Sequence, residues 1–279
     1  MSDHQKSILI TGCSSGIGYD AAHRMKQEGW RVLATCRKKE DVERLTSEGM
    51  ESFQLDYSDE MSVRDGAQKA LELTSGKLDA LFNNGAYACP GATEDLPRAA
   101  LREIYETNVF GQFQLINELL PAMRANGGGR IVNNSSILGF IALPFRGAYT
   151  STKFAMEALT DTLRLENHAS SLKFILIEPG PVTSMIRQKS IPHFETWIDW
   201  KNSDKKDLYE STMMPRLYDG TGNPDKWELP ASAVSDKLVL ALTAKNPSPR
   251  YFVTKPTYIM NILRRVLPTS LLDKALLRA

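Results

Sequence analysis

The sequence predicts an α/β fold, in which one doubly wound parallel β-sheet lies between two layers of helices. Apolar runs alternate with segments of helical period from the start of the chain, as in successive βαβ units. The runs are continuously apolar, which is typical of strands covered on both faces. The chain has 279 residues, and no repeat or low-complexity linker divides it. We therefore expect a single domain over 1–279.

Seven strands are predicted, each from a short apolar run. The runs occupy 7–12, 31–36, 51–56, 78–83, 130–136, 173–178 and 250–254. Helical spacing is clearest between the first and second strands, over 17–28, and between the fifth and sixth strands, over 149–168. Because strands and helices alternate, we expect right-handed crossovers and parallel strands.

Composition and charge exclude several classes of function. Apolar residues make up 42% of the chain and charged residues 24%, and the formal net charge is +1. These values are typical of a globular protein with a sizeable core, and no basic run suits a nucleic-acid partner. The first residues lack the features of a signal peptide, and no apolar run is long enough to cross a bilayer.

The three cysteines, Cys13, Cys36 and Cys89, are far apart, and none forms a CxxC pair. This spacing suits neither a disulfide framework nor a zinc site, so we expect no bound metal. A reducing compartment is the simplest inference, and we predict a cytoplasmic protein.

Two segments depart from the alternation of strands and helices. Residues 181–230 are rich in Trp, Met and charged side chains. Such a long excursion is usually a lid over a binding site, although a surface insertion without function is the alternative. Residues 256–279 carry apolar residues on one helical face, next to Arg264 and Arg265. We expect amphipathic helices that either pack on the protein or a partner subunit, or touch a membrane or shield an apolar substrate.

The residues after the first predicted strand form a glycine-rich turn. They read Thr11-Gly12-Cys13-Ser14-Ser15-Gly16-Ile17-Gly18. Glycine lets the backbone turn tightly and approach a diphosphate, which then meets free N–H groups at a helix N-terminus. The position between a strand and a helix predicts a dinucleotide site, with Gly12, Gly16, Ile17 and Gly18 as contacts.

The end of the second predicted strand indicates which dinucleotide binds. An enzyme that uses NAD usually has an acid here, which accepts hydrogen bonds from the ribose 2′-hydroxyl. This chain has Arg37 and Lys38 instead. A guanidinium pairs with a 2′-phosphate in bidentate fashion, whereas an acid repels it. We therefore predict NADP(H), with Arg37 as the main phosphate ligand and with Lys38 and Ser14 or Ser15 as helpers.

A tyrosine, a lysine and a serine form the predicted catalytic set. Tyr149 and Lys153 are four residues apart at the start of a predicted helix, so they share one face. Ser136 ends the fifth predicted strand, and strand ends meet the following helix starts at the carboxyl edge of a parallel sheet. Both hydroxyls can therefore reach one substrate oxygen. A free phenol has a pKa of about 10, so a tyrosine that acts near neutral pH needs a cation close by.

In this order, the motifs resemble those of the short-chain dehydrogenases/reductases over nearly the whole chain. The resemblance implies a Rossmann-type, three-layer fold, and it adds Asn108 to the catalytic set of Ser136, Tyr149 and Lys153. It also implies cofactor contacts at Asp56, Asn83, Tyr149, Lys153, Pro179, Gly180, Val182 and Thr183. Among these, Asp56 would lie at the adenine and Thr183 would bond the nicotinamide amide. A homo-oligomer is the family's usual state.

One motif departs from the family pattern. The family's N-N-A-G after the fourth strand appears here as Asn83-Asn84-Gly85-Ala86, with alanine and glycine exchanged. The added methyl group of Ala86 is expected to crowd the adenosine ribose. We expect a local adjustment rather than a loss of cofactor binding.

The resemblance implies reduction of an aldehyde or ketone with NADPH. Tyr149 would deliver the proton, Lys153 would bond the nicotinamide ribose, and Asn108 would hold a water. Aromatic and methionine residues within 181–230 favour a hydrophobic substrate. The finer likeness is to bacterial NADP-dependent aldehyde reductases and to the retinol and 17β-hydroxysteroid branch. Alcohol oxidation and a non-catalytic NADP-sensing role stay open as alternatives.

Overall fold

A computed structural model describes residues 5–278. Within them lie seven parallel strands, in the spatial order β3-β2-β1-β4-β5-β6-β7. The strands are β1 (Ser7–Ile10), β2 (Arg31–Cys36), β3 (Glu51–Gln54), β4 (Ala80–Asn83), β5 (Gly129–Asn134), β6 (Leu172–Glu178) and β7 (Arg250–Phe252). The predicted doubly wound parallel sheet is confirmed, and each predicted run contains one of these strands to within a residue.

Helices cover both faces of the sheet. The helices that cross between strands are α1 (Gly16–Gln27), α2 (Lys39–Ser47), α3 (Glu60–Leu73), α4 (Arg98–Tyr105), α5 (Gly111–Ala125), α6 (Gly147–Glu166) and, before β7, α10 (Ser232–Thr243). Alternate residues of β1 serve the two faces, as the two-residue period of a strand requires. Ile8 and Ile10 pack with α1 and α10, whereas Leu9 packs with α3 and α5.

The strand order reverses at β1. This strand pairs with β2 on one side and with β4 on the other, so the loops after β1 and β4 diverge at the carboxyl edge of the sheet. Ligands of doubly wound folds bind in the crevice that such a reversal opens. The glycine-rich turn follows β1, and Gly85 and Ala86 follow β4, so both motifs lie at this crevice.

The predicted insertion over 181–230 is folded rather than extended. It contains α7 (Ile186–Trp197), α8 (Lys206–Leu208), α9 (Met214–Leu217), a 3₁₀ turn at Trp200–Asn202 and a π-helical turn at Tyr209–Met213. Phe194, Ile198 and Tyr209 centre an apolar cluster of their own. The Tyr209 hydroxyl donates to Asp95 Oδ2 at 2.7 Å, and the backbone N–H of Ala92 donates to the same hydroxyl at 2.7 Å. These bonds fix the insertion to the loop after β4.

Two helices follow β7, α11 (Lys255–Val266) and α12 (Thr269–Leu276), as the amphipathic pattern predicts. Residue 279 of the predicted segment lies outside the described residues. One side of the pair packs on the protein, where Met260 and Leu276 contact a cluster that includes Phe140 and Tyr149. The opposite side faces solvent. Between residues 5 and 278, no helix has the length and apolar character needed to cross a membrane.

Candidate active site

The turn after β1 is shaped to receive an anion. Gly12 and Gly16 have φ values of +68° and +58°, which favour glycine. A Cβ on Gly12 would lie 2.7 Å from the Cα of Gly85, so the two loops of the crevice touch. The N-cap residue Ser15 makes no side-chain bond to the first turn of α1, and that turn holds no acid. Its N–H groups are therefore available to a diphosphate, and the residues fit a dinucleotide.

Cations gather beside this turn. Lys189 of α7 donates from Nζ to Ser15 Oγ at 2.7 Å and to Ser14 Oγ at 3.2 Å. Burial lowers the pKa of Lys189, and the nearby charges of Arg37 and Lys38 lower it further, whereas Asp41 and Cys36 raise it. Within residues 5–278, the structure shows no ion pair for Lys189, Arg37 or Lys38 at bonding distance. A phosphate bound beside Ser14 and Ser15 would neutralise the positive charge of these cationic side chains.

Lys189 was not predicted from the sequence. The contact joins residues far apart in the chain, and its lysine lies in the middle of the insertion, where no spacing rule marks it. Only the folding of α7 over the glycine-rich turn brings the ammonium to the two serines.

Tyr149 and Ser136 lie together at the carboxyl edge. Tyr149 is half-buried in the first turn of α6, against the apolar side chains of Leu138 and Phe140. Burial raises the pKa of Tyr149 to about 12, although the nearby hydroxyl of Ser136 and the charge of Arg146 lower it. Ser136 Oγ also accepts from the backbone N–H of Leu138 at 3.1 Å, which orients the hydroxyl. The predicted pair of hydroxyls is therefore brought together.

Lys153 lies one turn further along α6, and it is only 2% exposed. Its Nζ is 5.5 Å from the centroid of the Tyr149 ring and donates to the carbonyl oxygen of Asn134 at 2.7 Å. Burial lowers the pKa of Lys153 to about 8, and the charge of Glu157 opposes that shift. The spacing of four residues places both side chains on one face, as predicted.

Asn108 is fully buried within a π-helical turn, Glu106–Phe110, between α4 and α5. Its Nδ2 donates to Tyr87 O at 2.9 Å and to Thr152 Oγ1 at 3.2 Å, and its Oδ1 accepts from Tyr87 N at 3.1 Å. Thr152 in turn donates to the carbonyl oxygen of Tyr149 at 2.7 Å. The side chain thus holds α6 in place, and a water bound by Asn108 would meet its backbone carbonyl rather than its amide.

The glycine-rich turn lies at the carboxyl edge of the sheet together with Ser136, Tyr149 and Lys153. Buried Asn108 supports the helix that carries Tyr149. A family model described as short chain dehydrogenase matches residues 6–194. The chain belongs to the short-chain dehydrogenase/reductase family. Over 272 residues it is 39% identical to YbbO, an uncharacterized oxidoreductase of Escherichia coli K12, covering 98% of this chain and 94% of that protein.

A second relative is the NADPH-dependent 3-dehydrocapnine reductase of Ornithobacterium rhinotracheale, which is 31% identical over 95% of this chain and 94% of its own. Among solved structures, a short-chain dehydrogenase from Streptomyces avermitilis has a TM-score of 0.78 and 26% identity, covering 95% of this chain and 94% of that one. Structures of the same fold include complexes with NAD and with NADP. The resemblance inferred from the motifs is confirmed.

The remaining cofactor contacts expected of a short-chain dehydrogenase/reductase differ in the hydrogen bonds that their side chains already make within the protein. Asp56, just after β3, accepts from the backbone N–H and the hydroxyl of Ser58 at 3.0 and 2.8 Å. Asn83 is fully buried, and its amide bonds Tyr57, Gln112 and Asn133. The Asn83 side chain therefore shapes the loop from within, and both of its N–H donors are bonded to the protein.

The Pro-Gly motif after β6 lies beside Ser136, the predicted catalytic serine. The backbone N–H of Ile137, next to Ser136, donates to the carbonyl oxygen of Pro179 at 2.7 Å. Gly180 packs against Thr254 and Thr257, and Val182 bridges to Leu229. Thr183 is exposed, and its hydroxyl donates to Glu228 Oε1 at 2.7 Å. Bonded in this way, the hydroxyl can still accept a hydrogen bond from the N–H group of a nicotinamide amide, the contact that the resemblance implies.

Arg146 is a second residue that the sequence did not single out. It immediately precedes α6, and its charge is one of the influences that lower the pKa of Tyr149. A cation in the loop before a catalytic tyrosine is no part of the family motif, so no signal in the sequence marked it.

Proposed function

We propose that this protein is an NADP(H)-dependent reductase of aldehydes or ketones. The observation that carries the proposal is the joint placement of Ser136 and Tyr149, with Lys153 buried behind them, at the sheet edge that also holds the glycine-rich turn. A non-catalytic NADP-sensing protein would have no need of this set. The bound cofactor would supply hydride to the carbonyl carbon.

Side chains of the protein would supply the proton to the carbonyl oxygen. Ser136 and Tyr149 would donate hydrogen bonds to the carbonyl oxygen, and Tyr149 would transfer its proton as charge develops there. With a pKa of about 12, the Tyr149 hydroxyl is protonated at neutral pH. That state suits a proton donor in the reductive direction. Alcohol oxidation, the alternative, would require the phenolate and therefore a further cation near the ring.

Selectivity for NADP(H) would rest on the cations beside the glycine-rich turn. Arg37 and Lys38 would bind the 2′-phosphate, with Ser14 and Ser15 donating to it, and the structure adds Lys189 to this group. No carboxylate replaces Arg37 at the end of β2 to favour a free 2′-hydroxyl. The name of the 3-dehydrocapnine reductase, NADPH-dependent, agrees with this assignment.

The insertion favours a substrate with an apolar part. Its apolar cluster includes Phe194, Tyr209 and Met213, and Trp197 joins it to a second cluster that contains Tyr149. An apolar group entering between α7 and the start of α6 would lie against aromatic side chains. We accordingly interpret 181–230 as the substrate lid.

The decisive experiment compares the wild type with Tyr149→Phe. We expect the wild type to oxidise NADPH with members of a panel of aliphatic, aromatic and steroid carbonyl compounds, and to use NADH far less well. Tyr149→Phe should lose turnover, whereas its affinity for NADP⁺, measured by protein fluorescence, should stay unchanged. Tight NADP⁺ binding without turnover on any compound would favour the sensing role, and equal use of NADH would contradict the assignment of Arg37.

We also propose a compartment, an oligomeric state and a membrane contact for this protein. Three unpaired, buried cysteines favour a reducing compartment, the cytoplasm. A homo-oligomer is inferred from family membership, and Phe110, Phe154 and Leu165 are exposed apolar residues on the long central helices. The solvent side of α11 is a candidate for peripheral contact with a membrane.

A further inference from the structure

Three arginines lie near Tyr149, and two of them share one aspartate. Arg187 of α7 and Arg216 of α9 both bond the same oxygen of Asp225, with Nη2 to Oδ2 distances of 2.6 and 3.0 Å. The third is Arg146, which immediately precedes α6. We call Arg146, Arg187 and Arg216 the arginine cluster. It links the lid to the helix that carries Tyr149.

Arg146 is the member without a counterion. It is half-buried, and within the described part of the chain its guanidinium has neither a hydrogen-bond acceptor nor an ion-pair partner at bonding distance. Burial lowers the pKa of Arg146, and Arg216 and Arg187 lower it further, whereas Asp225 and Tyr149 raise it. A guanidinium nevertheless stays charged at neutral pH. A desolvated charge of this kind is costly unless an anion accompanies it.

The acids nearby are already engaged. Asp225 is held by Arg187 and Arg216. Asp219 accepts from the backbone N–H of Thr221 at 3.0 Å, which lowers its pKa, with a smaller contribution from Arg187. Glu228 accepts from Thr183 and from the backbone N–H of Asp225 at 2.8 Å. None of these carboxylates bonds the Arg146 guanidinium, so its charge is available to a ligand.

We propose that Arg146 binds an anionic group, such as a carboxylate or a phosphate, carried by the carbonyl substrate itself. Arg146 and Tyr149 both belong to the start of α6, so the anion and the reacting carbonyl would be separated by only a few bonds. Phe145 and Trp197 belong to the apolar cluster of the lid, and they would receive the rest of the molecule. The substrate class is therefore an amphiphilic oxo acid. This inference rests on the proposed reductase function.

A substrate pair tests the inference, para-carboxybenzaldehyde and its methyl ester, which differ in the negative charge. The wild type should prefer the acid in kcat/KM. Arg146→Gln should lose about tenfold or more in kcat/KM with the acid relative to the ester, mainly through the KM for the acid. The magnitude is that of a charge-assisted hydrogen bond. Arg146→Lys should fall between the two. Arg98→Gln, on an exposed site of α4, is the matched control and should change neither substrate.

Two binding measurements complete the test. Calorimetric titration with para-(hydroxymethyl)benzoate, in the presence of NADP⁺, should show weaker binding to Arg146→Gln than to the wild type. Fluorescence titration with NADP⁺ should give the same Kd for both proteins, and a weakened NADP⁺ Kd would assign the guanidinium to the cofactor phosphates and overturn the proposal. An equal loss with acid and ester would also overturn it, because Arg146 would then only hold the lid. Reduction of neither compound by the wild type would instead count against the reductase function.

Discussion

The ring of Tyr57 occupies the space that an alanine at position 85 would need. A Cβ built on Gly85 would lie 3.0 Å from Tyr57 Cε2, closer than side chains normally approach. The Tyr57 hydroxyl donates to Asn83 Oδ1 at 2.6 Å and lies 2.8 Å from Thr11 Oγ1. Tyr57 therefore joins the loops after β1, β3 and β4. The glycine at position 85 accommodates this ring, whereas the effect of Ala86 on the adenosine ribose stays a prediction.

Gly85→Ala should lower the free energy of unfolding by about 1–3 kcal/mol, the usual cost of overpacking a close contact. Urea denaturation measures the change. Gly220→Ala is the matched control, because a Cβ at Gly220 meets nothing within 4 Å, and it should be close to neutral. Equal stability of the two variants would show that the Tyr57 ring moves aside without cost.

Lys189→Met should weaken NADP⁺ binding about tenfold and leave NAD⁺ binding nearly unchanged, because only NADP⁺ carries the 2′-phosphate. Fluorescence titration gives both dissociation constants. Lys201→Met, on the same insertion and stacked only on Trp200, is the control and should change neither. An equal loss for both cofactors would place Lys189 at the diphosphate or in lid folding.

At the scale of elements, a partly buried charge cluster joins α6, β6 and β7. Arg250 Nη1 lies 3.0 Å from Glu157 Oε2 and 3.2 Å from Glu178 Oε1, and its Nη2 lies 2.6 Å from Asp161 Oδ2. Burial raises the pKa of Glu178 to about 9, and the neighbouring Glu157 adds to the shift, while Arg250 opposes it. One guanidinium thus faces three carboxyl groups, and Glu178 holds a proton at neutral pH.

This proton makes stability depend on pH. In the unfolded chain Glu178 has its ordinary pKa of 4.5, so above that value the folded state binds more protons. Its contribution is complete below pH 4.5 and is lost as the pH rises through about 9. Glu178→Gln, which cannot titrate, should show a shallower fall of melting temperature than the wild type between pH 4.5 and about 9. Parallel curves for the two proteins would contradict a raised pKa for Glu178.

Elements were more predictable than the contacts between them. The strands were found because a strand covered on both faces is apolar throughout, a property that a local window detects. The proximity of Tyr149 and Lys153 could be predicted because the two residues are one helical turn apart. Lys189 and Arg146 were not, since their importance depends on how α7 and α9 fold over the sheet edge. The helical pattern after β7 predicted α11 and α12, although not which of their sides would be covered.

At the scale of the whole molecule, charge is unevenly distributed. Residues 255–278 hold five cationic side chains and one carboxylate, Asp273, in a chain whose net charge is only +1. On α11, Ile259, Ile262 and Val266 are 51%, 60% and 66% exposed. A second copy meeting this face by two-fold symmetry would bring like charges together. An anionic lipid surface matches both its charge and its apolar stripe.

Binding of α11 to an anionic membrane can be tested by co-sedimentation with lipid vesicles. We expect the wild type to sediment with vesicles that contain phosphatidylglycerol, and to do so less at high salt. It should not sediment with vesicles of phosphatidylcholine alone. The double variant Ile259→Asn/Ile262→Asn should stay in the supernatant and keep its turnover of a water-soluble aldehyde. Leu240→Asn, an equally exposed leucine on α10, is the control and should sediment like the wild type. A double variant that dissociates an oligomer in light scattering would identify α11 as a subunit interface.

The contact of Lys189 with Ser14 and Ser15 has a thermodynamic consequence for the order of ligand binding. The lysine belongs to the insertion that we propose as the substrate lid, and the serines belong to the turn that we propose as the cofactor site, so we expect binding at one place to change the free energy of binding at the other. Such coupling is reciprocal: if NADP⁺ draws the lid inward and tightens substrate binding, substrate must tighten NADP⁺ binding by the same factor. A substrate analogue should accordingly lower the Kd of NADP⁺ by the factor by which NADP⁺ lowers the Kd of the analogue, and both factors should fall together in Lys189→Met.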